Sequence, residues 1–421
     1  MLSIGIPVLL MSVAFVVAML AYPHVLGYAR RHKIVDNPNA RKLQRVPVPV
    51  MGGTTVFIGF LVSSVIGLVL LKDVRIVKVL ALLAVMYGIG VWDDIRDIPA
   101  ALRFAVEFIL VWTMIVVFGW EINDLHGLWG IHGIPDAVSI PLSLIAGVGI
   151  INAINLIDGV DGFCSTFGTM ACAIFAVIFH HAGDMTLFTL SLITIGALIP
   201  FFFHNVFGQT SKMFLGDGGS LMLGTLLTLF TFNALSTDSP CAALGYSGLS
   251  VVALTLAILA VPVFDTLKVM IYRVARGKSP FLPDKTHLHH LYIEMGFSHL
   301  ATSAIIVTVN ALIVLALVIC WSLGMSMDWQ VYLVVFLGLI DTWGFYFLME
   351  YYHSKNDGTG TDLYQRWCRR GKSTNISAAP FWQFLRRLVD SRFLGGAPVV
   401  VEEAPPEDEE KPKVKLDPRI P

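Results

Sequence analysis

An adjacent pair of aspartates, Asp93-Asp94, closes a hydrophobic run and is trailed by Arg96, Asp97 and Arg103. Further along come Asn152, Asn155, Asp158 and Asp161, each of the two aspartates followed by glycine. Asn205 and Lys212 then lead into Gly216-Asp217-Gly218-Gly219, and a last group reads His287-Leu-His289-His290. Carboxylate and amide oxygens are hard donors, and Mg²⁺ is typically held by one or two carboxylates plus substrate phosphates. Lys and Arg beside them neutralise phosphate charge. The glycines let backbone approach a ligand, and Gly218-Gly219 stand before a helix start suited to phosphate. Together these residue types describe phosphoryl transfer, where catalysis is mainly positioning and charge stabilisation.

Each group also has a plainer reading. Asp-Asp after an apolar run is an ordinary helix end, and Asn-Asp-Gly sequences are common turn chemistry. A histidine cluster suits Zn²⁺, yet the five cysteines (Cys164, Cys172, Cys241, Cys320, Cys368) show no paired or ligand spacing and read as apolar fillers or free thiols. Asp265, beside Pro262, and Asp341 could line a bundle interior without touching chemistry. Only the joint occurrence carries weight.

The elements that must position these groups are membrane helices. Hydrophobic residues make up 56% of the 421 positions and charged residues only 14%, against about 25% charged in soluble proteins. Apolar runs near the roughly 20 residues that a spanning helix needs extend over Ile4–Tyr22, Met51–Leu71, Val77–Trp92, Phe104–Phe118, Val138–Ile154, Phe163–Phe179, Leu187–Phe203, Ser220–Leu235, Val251–Ile271, Ala301–Leu323 and Val331–Met349. The expected fold is therefore an all-α polytopic bundle of about eleven transmembrane helices. The third and fourth runs are short, with Arg103 and Glu107 near the start of the fourth.

Orientation follows the basic residues of short loops, which stay cytoplasmic. Arg30, Arg31, Lys33, Arg41, Lys42 and Arg45 follow the first run; Arg273, Arg276, Lys278 and Lys285 follow the ninth. The loops after the fourth, sixth, eighth and tenth runs hold neither Lys nor Arg, while Lys72, Arg75 and Lys78 form one exception outside. This predicts a periplasmic N-terminus and a cytoplasmic C-terminus. All four motif groups then fall on the cytoplasmic face, where clustered ionisable groups at membrane depth usually serve function. Residues 1–350 form the expected catalytic domain. Residues 351–394 form a cytoplasmic segment, with Pro380–Leu394 amphipathic along the anionic leaflet or folded as a small soluble hairpin. Residues 395–421, rich in proline and acid, are expected to be disordered.

At these motifs the sequence resembles the polyprenyl-phosphate N-acetylhexosamine-1-phosphate transferases. The resemblance runs from about Asp36 to Gly296. Asp36-Asn-Pro-Asn-Ala-Arg41-Lys42 and Pro47-Val-Pro49-Val-Met-Gly52-Gly53 are similar to the family's first cytoplasmic motif, though Gln44 and Val50 stand where many members have histidine and arginine. The resemblance implies Asp93, Asp94, Asp158 and Asp161 as catalytic residues and Asn155 with Asp217 as the Mg²⁺-holding pair, Mn²⁺ being an admissible substitute. It implies Lys42, Arg103, Asn205, Lys212, Asp265, His287, His289 and His290 as substrate-binding. Leu288 and Leu291 interrupt the histidines that the peptidoglycan-precursor branch runs together, which favours a simple UDP-sugar.

The implied reaction moves N-acetylhexosamine 1-phosphate, foremost GlcNAc 1-phosphate, from the UDP-sugar to undecaprenyl phosphate in the inner membrane and releases UMP. Direct attack and a two-step aspartyl-phosphate route both remain open at this stage, as do UDP-GalNAc and UDP-MurNAc-pentapeptide as donors. The expected partners are a UDP-N-acetylhexosamine, undecaprenyl phosphate and membrane lipids. A homodimer is compatible with the sequence, and no nucleic acid is expected. Transporters also carry intramembrane carboxylates, but they usually show repeated halves, and no internal repeat is visible here. A scaffold whose acidic tail recruits partners is a third reading.

Overall fold

A computed structural model of the protein describes residues 2–37, 47–245, 247–277, 279, 286–354, 363–374 and 380–391. The helices are α1 (Leu2–Arg31), α2 (Gly52–Leu71), α3 (Arg75–Arg96), α4 (Ala100–Phe118), α5 (Asp136–Leu156), α6 (Phe163–Ala182), α7 (Met185–Phe207) and α8 (Gly216–Ala234). A short α9 (Ala242–Gly245) precedes α10 (Val251–Ile258), α11 (Ala260–Ala275), α12 (Leu288–Glu294), α13 (His299–Ser322), α14 (Met327–Leu339) and α15 (Phe345–Ser354); α16 (Leu363–Ser373) and α17 (Pro380–Asp390) are the last described helices. A π-helical turn, Ile340–Gly344, carries Asp341 between α14 and α15. The one sheet among the described residues is a two-stranded pairing of β1 (Val35–Asp36) with β2 (Val48–Pro49). It does not disturb the all-α class.

Among the described residues, nine helices are long and apolar enough to cross a membrane. Their outward faces carry Leu20, Val69, Ile109, Val117 and Ile145, each at least 60% exposed, which is the surface a bilayer covers. This is a multi-pass membrane protein. The third and fourth runs, short in sequence, are full helices of 22 and 19 residues.

The centre is α8, packed by α3, α5, α2 and α6 and buried on nearly every side. It is less apolar than a lipid-facing span because protein, not lipid, surrounds it. Its hydroxyls are absorbed locally: Thr225, Thr228 and Thr231 donate to the carbonyls of Leu221, Gly224 and Leu227.

The expected single span Val251–Ile271 is instead two helices bent by 72° between Ile258 and Ala260. Pro262 has no N–H and clashes with a preceding carbonyl in a continuous helix. The groups freed by the break are met by one buried side chain. Asn310 of α13 donates to the carbonyls of Ala257 and Ile258, and its Oδ1 accepts from the Val261 N–H at 2.9 Å. Non-helical backbone at membrane depth needs such partners. Asn310→Ala is expected to destabilise the protein by about 3 kcal/mol, since each orphaned buried group costs about 1–3 kcal/mol. Thermal unfolding in detergent would measure this; a loss below about 0.5 kcal/mol would mean that water satisfies the bend.

Candidate active site

The four helix ends that carry the acidic motifs meet at one end of the bundle. The last turn of α3 brings Asp93 and Asp94, the first turn of α4 brings Arg103, the last turn of α5 brings Asn155, and the first turn of α8 brings Asp217. Asp94 accepts the backbone N–H groups of Asp217 and Gly218 at 2.9 and 3.1 Å, where the positive end of a helix dipole favours an anion. Gly216 has φ +77°, and a Cβ there would lie 2.6 Å from the Asp94 carboxylate. Only glycine fits. The sequence places Gly218-Gly219 before the helix as a phosphate seat. The helix starts earlier, at Gly216, and the first of its free N–H groups already hold Asp94.

Asp93 accepts from the Ile98 N–H at 2.9 Å and pairs with Arg103 at 3.2 Å. Arg103 also lies 3.8 Å from Asp217 and 3.6 Å from the buried Glu107. Asn155 donates through Nδ2 to Asp217 Oδ1 at 2.6 Å and to Ser220 at 2.9 Å, leaving its carbonyl oxygen as a hard donor beside that carboxylate. Asp158 sits against the Gly216 backbone in the same cluster.

A second group adjoins the first. Asp161 takes Lys212 Nζ at 2.6 Å and His299 Nδ1 at 2.9 Å. Burial pushes the Asp161 carboxyl up, but the hydrogen bond from His299 and the Lys212 charge outweigh it, so it rests below the usual range and stays ionised. Asn205 accepts from the Gly162 N–H at 2.6 Å and donates to the Met213 carbonyl at 3.0 Å; these bonds tie the Asp161 loop to the Lys212 loop. Asp161, Lys212 and His299 border a cavity of about 500 Å³ that Phe207, Trp382 and Arg386 also line.

The histidines form the third group. Asp265 accepts from Lys268 at 2.7 Å, His287 Nδ1 at 2.9 Å and the Leu288 N–H at 3.0 Å. Its carboxylate therefore fixes His287 and the start of α12. His287 Nε2 is buried and has no hydrogen-bond partner among the described residues. His289 packs edge-on to Phe163, with His290 alongside. Burial, then the neighbouring His290 and His287, holds His289 well below its ordinary value and hence neutral.

Lys42 lies outside the described residues, as do Arg41, Lys278, Lys285 and the acidic tail. His299, Glu107 and Lys268 belong to the site without standing out in sequence as site residues. For two of them a signal existed in helical spacing: Glu107 is i+4 from Arg103, and Lys268 is i+3 from Asp265.

Among the described residues, no three His, Cys, Asp or Glu side chains form a closed metal cage. The donor set nonetheless fits a partly protein-held hard cation. Asp93, Asp94, Asp158, Asp217 and Glu107 crowd together, Arg103 contacts three of them, and among the described residues Glu107 Oε1 has no hydrogen-bond partner.

A sequence model of glycosyl transferase family 4 matches residues 76–234. The chain is 32% identical over 307 residues to the decaprenyl-phosphate N-acetylglucosaminephosphotransferase of Mycobacterium tuberculosis, covering 68% of this chain and 75% of that one. The chain belongs to glycosyl transferase family 4. It is also 29% identical over 298 residues to the probable undecaprenyl-phosphate N-acetylglucosaminyl 1-phosphate transferase of Bacillus subtilis, covering 68% of this chain and 78% of that protein. With the undecaprenyl-phosphate alpha-N-acetylglucosaminyl 1-phosphate transferase of Yersinia pestis it shares 28% identity over 316 residues, 72% of this chain and 81% of that one. The family 4 match spans the acidic centre, Asp161, Asn205 and Lys212, and ends before the histidines.

Proposed function

We propose that this family 4 phosphoglycosyltransferase moves N-acetylglucosamine 1-phosphate from UDP-N-acetylglucosamine to undecaprenyl phosphate at the cytoplasmic face of the inner membrane. The observation that carries this reading is the convergence of Asp93, Asp94, Arg103, Asn155 and Asp217 at one end of the bundle. The names of the relatives supply the sugar and the lipid.

Counting α8 and the bent α10–α11 pair as one crossing each brings the nine spans to eleven, an odd number that supports opposite faces for the two termini, with the N-terminus outside and the site inside. The basic loops support this orientation. Of the three cations in the exceptional turn, Lys72, Arg75 and Lys78, Arg75 is neutralised by Asp73 and Asp184 at 2.7 and 2.6 Å, which lessens the outer charge. The apolar Phe381, Phe384 and Leu388 of α17 are exposed, which supports its lying on the leaflet.

Asp217 and Asn155 would hold Mg²⁺, which when bound neutralises the donor pyrophosphate. Lys212 adds charge at the donor side, and Arg103 receives the lipid phosphate between Asp93 and Asp217. An oxygen of the lipid phosphate attacks the β-phosphorus. The bond to the bridging oxygen breaks, UMP leaves, and the lipid-pyrophosphate-sugar remains. Asp93 is the proposed base for any residual lipid-phosphate proton, because its carboxylate pairs with Arg103, the group that receives that phosphate. A direct attack leaves both backbone N–H bonds to Asp94 intact, whereas an aspartyl-phosphate on Asp94 weakens the one to the esterified oxygen.

The test is UMP release by purified protein with undecaprenyl phosphate, Mg²⁺ and a panel of UDP-sugars. Release is expected with UDP-N-acetylglucosamine alone, and only with lipid and metal present. Release with another donor would reassign the sugar, and none with any donor would overturn the reading.

A further inference from the structure

The turn that delivers Lys212 is held from outside the catalytic helices. Asp390, the last residue of α17, accepts the backbone N–H groups of Gln209 and Thr210 on Oδ2 at 3.1 and 3.4 Å. Its Oδ1 accepts the Ser211 N–H at 3.0 Å and the Ser211 hydroxyl at 2.7 Å. From the other side, α1 donates to the same turn, Tyr22 to the Ser211 carbonyl at 2.9 Å and Arg30 to the Thr210 carbonyl. The next residue is Lys212, paired with Asp161 at 2.6 Å. Helix α17 is anchored again at its start, where Trp382 stacks on Phe207 of α7 at 5.1 Å and 17°.

Both Trp382 and Arg386 of α17 face the cavity bordered by Asp161, Lys212 and His299. Its volume of about 500 Å³ lies within the roughly 300–1,000 Å³ usual for small-molecule sites. Its wall joins an aromatic face to cationic side chains, the pairing that suits a nucleoside diphosphate. Residues 380–391 lie beyond the family match at 76–234. Asp390 stays ionised: burial raises its carboxyl, but the Ser211 hydroxyl and the turn's N–H groups outweigh that.

We propose that α17 forms the outer wall of the nucleotide-sugar cleft, and that Asp390 is a positioning residue holding the Gln209–Ser211 turn so that Lys212 reaches Asp161. The inference rests on the transferase reading above. Charge-assisted bonds to several N–H groups of one turn fix its conformation; without them Lys212 is free to leave the donor side. The lipid side, at Asp93 and Arg103, is untouched.

The experiment uses the full chain in detergent with Mg²⁺ and measures two things: UDP binding by titration calorimetry, which needs no turnover, and KM for each substrate from UMP release. Asp390→Ala is expected to weaken UDP binding and raise KM for the UDP-sugar by about 10-fold, as loss of an outer-shell partner typically does, with KM for the lipid unchanged. Asp390→Glu is expected to recover most of the loss. Should Asp390→Ala not fold, Trp382→Ala loosens the same helix without touching the turn, and about threefold weaker UDP binding is expected. Equal UDP affinity in the wild type and a folded variant overturns this inference alone. So does a uniform fall in kcat with no KM split. Failure of UDP to bind the wild type overturns the donor reading, and this inference with it.

Discussion

Asp217→Asn is expected to lower UMP release at saturating Mg²⁺ by about 10³-fold, in the range seen when a group stabilising developing phosphoryl charge is removed. Its side chain is 34% exposed and the two residues differ little in size, so the substitution leaves no cavity. The helix start is held through the Asp217 backbone by Asp94, and that bond survives. What is lost is one negative charge beside Asn155, and in one amide orientation an NH₂ group faces Arg103. Thermal unfolding close to wild type, alongside the lost turnover, would separate chemistry from stability. Asn155→Ala should cost less, about 10- to 100-fold, because the carboxylate remains, and added Mg²⁺ should restore part of it. A wild-type rate in Asp217→Asn would remove the residue from metal binding.

Much of this site is legible in sequence because polar residues stand out in a chain this apolar. The acidic pair, the Asn155–Asp161 stretch and Asp217 interrupt hydrophobic runs, and the alternation of those runs brings them to one end of the bundle. What sequence does not give is how the groups are spent. Asp94 reads as an acid available for chemistry, yet both its oxygens hold the start of α8. Asn205 reads as a substrate contact, yet both ends of its amide join two loops. His299 follows a capping serine, Ser298, and reads as an ordinary helix start; only tertiary packing sets it against Asp161. The bend at Leu259 is half visible through Pro262, but its other half, Asn310, lies on another helix. Periodicity marks Pro380–Leu394 as amphipathic without saying what it packs against. Contacts between residues nearly two hundred positions apart, such as Asp390 with Ser211, leave no local pattern to read.

Arg103→Ala is expected to raise KM for the lipid phosphate and to cut kcat by about 10²- to 10³-fold. Arg103 touches Asp93, Glu107 and Asp217, so its loss strips the counter-charge from a cluster of carboxylates just where a second anion must enter. The incoming phosphate then meets uncompensated negative charge as well as a missing donor. Arg103→Lys should recover little, since a point charge cannot replace the planar fork that spans Asp93 and Asp217. The loss should fall on the lipid substrate and leave UDP binding near wild type, because Lys212, on the donor side, still pairs with Asp161. Pairing Arg103→Ala with Asp93→Asn removes a charge together with its partner. A double variant no worse than the worse single variant ties the two residues to one phosphate, since contacting residues with a shared role couple. Fully additive losses would assign Arg103 and Asp93 to separate steps, and the base would then have to be sought at Asp158.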